Sequence, residues 1–285
     1  YFVDLKKFSN VTKTEIKQKF YMFVKANLRL FPLMIAILLP ILIWLPYLLN
    51  NMIDDNGEHD FRLIPFHGDT SNGSPSSNIF STLFDFISVL IIITAWIRYK
   101  QVKTCLKELN ILHNNHIHNE RLRNFNFFSL SLALMVATGG CLMGNFSFNE
   151  NTLTFYVHTI GGFLFFHALL WYMLIQTYLA WILNQDPHSK ESVPISMIIT
   201  TGIGFASIIL FSIFSIIVSL ISTNIDTIQN IHERYYQSAN DKHYYWYNQI
   251  SAISEWIYLH SLIPFYLCLW RRIGHFKNDW NQISF

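Results

Sequence analysis

Charged residues are scarce in this 285-residue chain, which has 18 acidic and 20 basic side chains, 13% of its residues. A soluble domain ordinarily devotes about 25% of its residues to charge. The chain also lacks a P-loop, an HExxH pair and a GxSxG elbow, so no soluble catalytic domain of those types is present. The net charge of only +2 gives no indication of a nucleic-acid-binding role. We expect no cofactor, no metal site and no nucleic-acid partner.

Long apolar stretches are the main feature of this sequence. There are six of them, at about 30–49, 79–97, 125–143, 155–183, 194–222 and 250–270. Each is long enough to cross roughly 30 Å of hydrocarbon, which needs about 20 residues of helix. None shows the polar outer face that a soluble helical bundle requires. The sequence therefore predicts an all-α integral membrane protein with a six-helix transmembrane domain over 30–270.

The basic residues predict the orientation of the chain. Seven precede the first span, six lie between the second and third, one between the fourth and fifth, and three follow the sixth, which places 17 of the 20 on one side. Cytoplasmic flanks retain positive charge in this way. We therefore expect a cytoplasmic N-terminal segment over 1–29 and a short cytoplasmic tail over 271–285.

The first loop on the opposite side is acidic and holds the sequon Asn72-Gly73-Ser74 in a stretch rich in glycine, serine and proline. We expect glycosylation at Asn72. Only three cysteines are present, and the span assignment places Cys141 and Cys268 toward opposite leaflets, with Cys105 cytoplasmic. No disulfide framework is therefore expected.

Ionisable and amide side chains inside the spans are the strongest functional signal. Such groups are costly in a bilayer and often mark function. Asp85, Asn145, His158 and Glu255 all fall in the outer-leaflet third of four different spans. We expect a titratable cluster in which His158 pairs with Glu255 beside Asp85, facing the lumen. The alternative is that these groups form interhelical hydrogen bonds that serve packing alone.

A second candidate surface is the basic cytoplasmic face. Lysines and arginines next to an inner leaflet attract anionic lipids, so we expect contact with phosphoinositides or other anionic headgroups. Retention of topology is the alternative role for the same charges. The residues that we expect at this surface are Lys100, Lys103, Lys107, Arg271 and Arg272.

Several short motifs resemble the DRAM family, the damage-regulated autophagy modulators, within the Frag/DRAM/Sfk superfamily of six-span membrane proteins. The motifs are TAWIRYKQV (Thr94 to Val102), GNF (Gly144 to Phe146), VHTIGG and YMLIQTYLAW in span four, and SEW (Ser254 to Trp256) in span six. By residue match, the family positions are Arg98, Tyr99, Lys100, Gln101, His158, Gln176, Glu255 and Trp256. Asp85 departs from the family pattern, which has an uncharged polar residue there.

The resemblance implies lysosomal or endosomal membranes and a part in promoting autophagy; plasma membrane and Golgi or ER membranes are the alternatives. Our leading hypothesis is a non-enzymatic modulator of autophagy or lysosomal lipid signalling, acting on lipids and protein partners at the cytoplasmic face. The alternative is a lipid-handling or GPI-lipid-remodelling factor that uses the lumenal polar cluster. Whether the chain is an enzyme stays open, with a non-enzymatic role favoured.

Overall fold

The computed structural model describes residues 27–53, 66, 74–113, 116–146, 152–184, 195–222 and 245–275. Asn72, most of the predicted N-terminal segment and most of the predicted tail lie outside these residues. The described residues form six long α-helices: α1 (Leu30–Ile53), α2 (Ser76–His113), α3 (His116–Asn145), α4 (Thr152–Asn184), α5 (Ile195–Ser222) and α6 (Tyr245–His275). All six are long and apolar enough to span a membrane, which confirms the predicted fold class.

Several helices are longer than the apolar stretches that predicted them. Helix α2 continues past the predicted span end at 97 to His113, and α3 begins at His116 rather than near 125. Hydropathy marks only the apolar part of a helix, whereas lysine, glutamate and leucine favour helix beyond it. Lys100, Lys103 and Lys107 are consequently held on a rigid helix and not in a loop.

The helices form a ring in chain order. Each helix packs against the next, α1 also packs against α6, and α4 and α5 share the smallest of these interfaces. Helix α6 is the most enclosed, and its Tyr258 hydroxyl donates a hydrogen bond to the Phe166 carbonyl of α4 at 2.9 Å. Large apolar side chains such as Ile160, Phe163 and Trp171 face outward, as expected where hydrocarbon and not water surrounds the protein.

Candidate functional site

Two ends of the helix bundle carry the residues that sequence analysis selected. One, which we call the basic end, is marked by Lys100, Lys103 and Lys107 of α2 and Arg271 of α6. The other, which we call the Asp85 end, lies where α2 begins, α3 ends and α4 begins. The alternation of the helices places these ends at opposite faces of the bundle.

At the basic end, two lysines lie over aromatic rings of the same helix. The Lys100 ammonium is 5.1 Å from the centre of the Trp96 ring, and the Lys103 ammonium is 5.9 Å from that of Tyr99. The two rings lie 5.8 Å apart, and Trp96 faces outward. Cation–π attraction of this kind holds flexible lysines in place, at about 0.5–1 kcal/mol each at exposed sites. We call this group the lysine–aromatic surface.

The arginines at this end have different environments. Arg271 is exposed, as expected of a residue that contacts headgroups. Arg272 is only 4% exposed, and its guanidinium reaches the Met197 sulfur of α5 at 3.8 Å. Our expectation that Arg272 lies at the lipid-contacting surface therefore needs correction, because the turn of α6 directs this side chain into the bundle.

A buried hydrogen-bond network lies directly beneath the lysine–aromatic surface. Arg98, with no exposed area, donates from Nε to the Gln176 amide oxygen at 3.0 Å and from Nη1 to that of Gln101 at 2.8 Å. Gln176 in turn donates to the Ser129 hydroxyl at 2.7 Å, and Gln101 donates to the Arg272 carbonyl at 3.2 Å. Four helices, α2, α3, α4 and α6, are thus joined through side chains.

This network gives a structural role to three of the family positions, Arg98, Gln101 and Gln176. Sequence reasoning missed its α3 members, Ser129 and Asn126. Asn126 donates to the Tyr99 carbonyl at 2.9 Å. Their spacing of three residues on an otherwise apolar stretch was the available signal, since such a pair shares one helix face.

At the Asp85 end, the structure brings two of the four expected cluster residues into contact. The Asn145 amide donates to the Asp85 carboxylate at 2.8 Å and to the Cys141 carbonyl at 2.9 Å, and it accepts from the Ser81 hydroxyl at 3.1 Å. Asp85 is half-buried and Asn145 is exposed. The Asp85 carboxylate is therefore partly accessible to polar molecules at this end of the bundle.

The other two residues are buried side chains of α4 and α6. His158 of α4 is 9% exposed, and its Nδ1 donates to the Phe146 carbonyl, next in the chain to Asn145, at 2.9 Å. Glu255 of α6 is also buried, and its pairing with His158 stays a prediction. Among the described residues, no group of three or more His, Cys, Asp or Glu side chains is arranged to hold a metal ion.

Trp256, the remaining family position, belongs to an aromatic group between α1 and α6. Its ring stacks on His260 at 6.1 Å and meets the edges of Trp44 at 5.1 Å and Tyr47 at 5.6 Å. The Trp44 indole donates to His260 Nε2 at 3.2 Å. These contacts fasten α1 to α6 and close the helix ring.

The chain is similar in sequence to known proteins. The DNA damage-regulated autophagy modulator protein 2 of Bos taurus is 26% identical over 209 residues, covering 73% of this chain and 71% of that protein. The Homo sapiens protein of the same name is 25% identical over 204 residues, covering 72% and 70% respectively. No solved structure matches. A family model described as the Frag1/DRAM/Sfk1/Cwh43P N-terminal domain matches residues 27–276, and the chain belongs to this family of multi-pass membrane proteins.

Proposed function

We propose that this chain is a non-enzymatic membrane regulator that modulates autophagy or lysosomal lipid signalling through its basic end. The observation that carries the proposal is the lysine–aromatic surface, which presents two oriented cations beside an outward-facing tryptophan. Tryptophan and tyrosine favour the headgroup level of a bilayer. Lysines at that level attract anionic headgroups, including phosphoinositides, and acidic partner proteins.

The autophagy half of the proposal rests on the relatives, whose names describe them as autophagy modulators. We propose lysosomal or endosomal membranes for this chain, with the basic end in the cytoplasm, where autophagy proteins act. The plasma membrane and the Golgi or ER are the alternative locations.

A lipid-binding measurement tests the role of the lysine–aromatic surface. The variant Lys100→Gln/Lys103→Gln should bind phosphatidylserine more weakly in neutral detergent, by about fivefold per lysine at low salt, because each basic residue near anionic lipid contributes about 1 kcal/mol. The matched control is Arg121→Gln/Arg123→Gln, which removes exposed charges at the same end of α3. Equal losses in both variants, or no loss in the lysine variant, would contradict a site built on the Trp96 and Tyr99 rings.

A second candidate function is lipid handling at the Asp85 end, favoured by the Asp85–Asn145 contact at a half-buried position. A cellular experiment separates the two functions. In cells lacking the chain, autophagic flux should be restored by wild type and by Asp85→Asn, but not by the double lysine variant. Restoration by the lysine variant together with failure of a folded Asp85→Asn protein would favour lipid handling instead.

A further inference from the structure

Three buried hydroxyl groups inside the helix ring have no hydrogen-bond partner among the residues whose structure is described. They belong to Thr94 of α2, Tyr172 of α4 and Tyr266 of α6, each at most 1% exposed. A hydroxyl that is buried without a partner costs free energy, because it has given up its hydrogen bonds to water. Nearly all buried polar groups in folded proteins therefore have a partner, either in the protein or in ordered water.

The Arg98–Gln176 hydrogen bond brings Thr94 and Tyr172 to one level of the bundle. Thr94 precedes Arg98 by four residues and shares its helix face. Tyr172 has the same relation to Gln176. Helices α2 and α4 run in the same direction, because α3 returns the chain between them. Both hydroxyl-bearing residues therefore lie about 6 Å further from the basic end than the bonded pair, at 1.5 Å per residue.

Tyr266 lies at the same level on α6, which also runs in the direction of α2. The two helices are aligned by the hydrogen bond from Gln101 to the Arg272 carbonyl. Gln101 lies seven residues after Thr94, and Arg272 lies six residues after Tyr266. The difference of one residue corresponds to only about 1.5 Å along the helices.

Contacts between side chains agree with this alignment. The centre of the Tyr172 ring is 6.2 Å from that of Phe265, which precedes Tyr266 in the chain. The Tyr172 hydroxyl is within electrostatic range of the Arg98 guanidinium and of the Tyr266 hydroxyl. Helices α2, α4 and α6 are not neighbours in the ring, so inward-directed side chains fill the space between them. The three hydroxyls therefore lie together in the interior, beside the Arg98 network.

Water is the ligand that matches this group of hydroxyls. Each hydroxyl can donate one hydrogen bond and accept others, and a water molecule does both in return. A buried water in a protein typically forms about three hydrogen bonds to groups that would otherwise lack a partner. A hydrocarbon chain in the same place would leave all three hydroxyls unsatisfied.

We propose that ordered water is bound inside the helix ring between Thr94, Tyr172 and Tyr266. The water extends the Arg98 network by one helical turn away from the basic end, and it places further polar groups beside the buried guanidinium. Such groups reduce the cost of holding a charge away from bulk solvent. The site is distinct from the lysine–aromatic surface and from the Asp85 end, so this proposal and the function proposed above can fail independently.

Radiolytic footprinting tests the site, because X-ray pulses turn a bound water into a hydroxyl radical that oxidises the side chains beside it. In purified full-length protein in neutral detergent, mass spectrometry should find oxidation of Tyr172 and Tyr266 despite their burial. Tyr258 is the internal control. It is equally buried on α6, but its hydroxyl already donates to the Phe166 carbonyl at 2.9 Å, so it should stay unmodified.

Substitution of Thr94 tests whether its hydroxyl holds the water. Thr94→Val removes the hydroxyl at nearly constant volume and should lower the oxidation of Tyr172 and Tyr266 about fivefold, the effect of one hydrogen bond. Thr94→Ser keeps the hydroxyl and should retain the oxidation of wild type. Thr104→Val is the matched control on α2, because the Thr104 hydroxyl donates to the Lys100 carbonyl of its own helix at 3.1 Å. This control should leave the oxidation unchanged.

Four outcomes would overturn the proposal. The first is oxidation of Tyr172 and Tyr266 no greater than that of Tyr258, a comparison within wild type that holds even if Thr94→Val fails to fold. The second is oxidation that a folded Thr94→Val leaves unchanged. The third is an equal loss in Thr94→Ser, which would assign the effect to packing. The fourth is a change in oxidation when gluconate replaces chloride in the buffer, which would assign the hydroxyls to an anion.

Discussion

At the scale of single residues, the buried Arg98 is the most consequential side chain of the basic end. A guanidinium in a bundle of apolar helices must have its donors satisfied by oriented acceptors. Gln176 and Gln101 provide amide oxygens at 3.0 and 2.8 Å. These same glutamines donate to Ser129 and to the Arg272 carbonyl, so the oxygen and the nitrogen of each amide both form hydrogen bonds. Arg98 thereby fixes the turn of α2 on which Lys100 and Lys103 are displayed.

Gln176→Leu should destabilise the protein, because it leaves one Arg98 donor and the Ser129 hydroxyl without their partner. We expect a loss of about 1–3 kcal/mol, seen as a Tm several degrees lower in detergent. Tyr172→Phe is the control. Tyr172 lies one turn away on the same helix, is equally buried, and has a hydroxyl without a hydrogen-bond partner among the described residues. Equal Tm values for Gln176→Leu and Tyr172→Phe would contradict the role of the network.

At the scale of helices, α3 and α4 approach so closely that their backbones touch. A Cβ atom added to Gly139 would lie 2.5 Å from the Phe165 nitrogen and 2.7 Å from the Gly161 carbonyl oxygen. One added to Gly161 would lie 2.6 Å from the Met143 nitrogen. The hydrophobic effect does not drive association of helices in lipid. Helices there depend on close van der Waals packing, which small residues at the crossing allow. This crossing sets the distance between Asn145 at the end of α3 and His158 near the start of α4.

Gly139→Ala should separate α3 from α4 and lower the Tm, because overpacking of this kind costs about 1–3 kcal/mol. Gly202→Ala should raise the Tm or leave it unchanged. An added Cβ at Gly202 meets nothing within 4 Å, and alanine favours helix over glycine by up to about 1 kcal/mol. The comparison fails if both variants change the Tm in the same direction and by the same amount.

The six spans could be predicted from the sequence because the bilayer requires about 20 apolar residues in each, whatever their neighbours are. It placed Asp85 and Asn145 at one depth, and their side chains meet at 2.8 Å. It did not identify Arg98 and Arg272 as buried, because a lysine or arginine after a span has the same pattern whether it faces lipid or the bundle.

At the scale of the whole molecule, the two bundle ends differ in chemistry. Lysines and arginines mark the end where α2, α4 and α6 finish, and Asp85 with Asn145 marks the other. A bundle with this asymmetry has a preferred orientation in a membrane, because Lys and Arg stay on the cytoplasmic side during insertion. The orientation in turn decides which leaflet the lysine–aromatic surface meets.

Glycosylation of the Asn72 sequon tests which end of the bundle is lumenal, since glycosylation takes place only on the lumenal side. If the basic end is cytoplasmic, the loop between α1 and α2 is lumenal, and the chain expressed in a glycosylating cell should carry a mass that a glycosidase removes. Asn72→Gln should abolish this shift. Asn10→Gln, which removes the sequon Asn10-Val11-Thr12 of the N-terminal segment, should leave it intact. A shift that survives Asn72→Gln and disappears in Asn10→Gln would reverse the orientation and place the lysine–aromatic surface in the lumen.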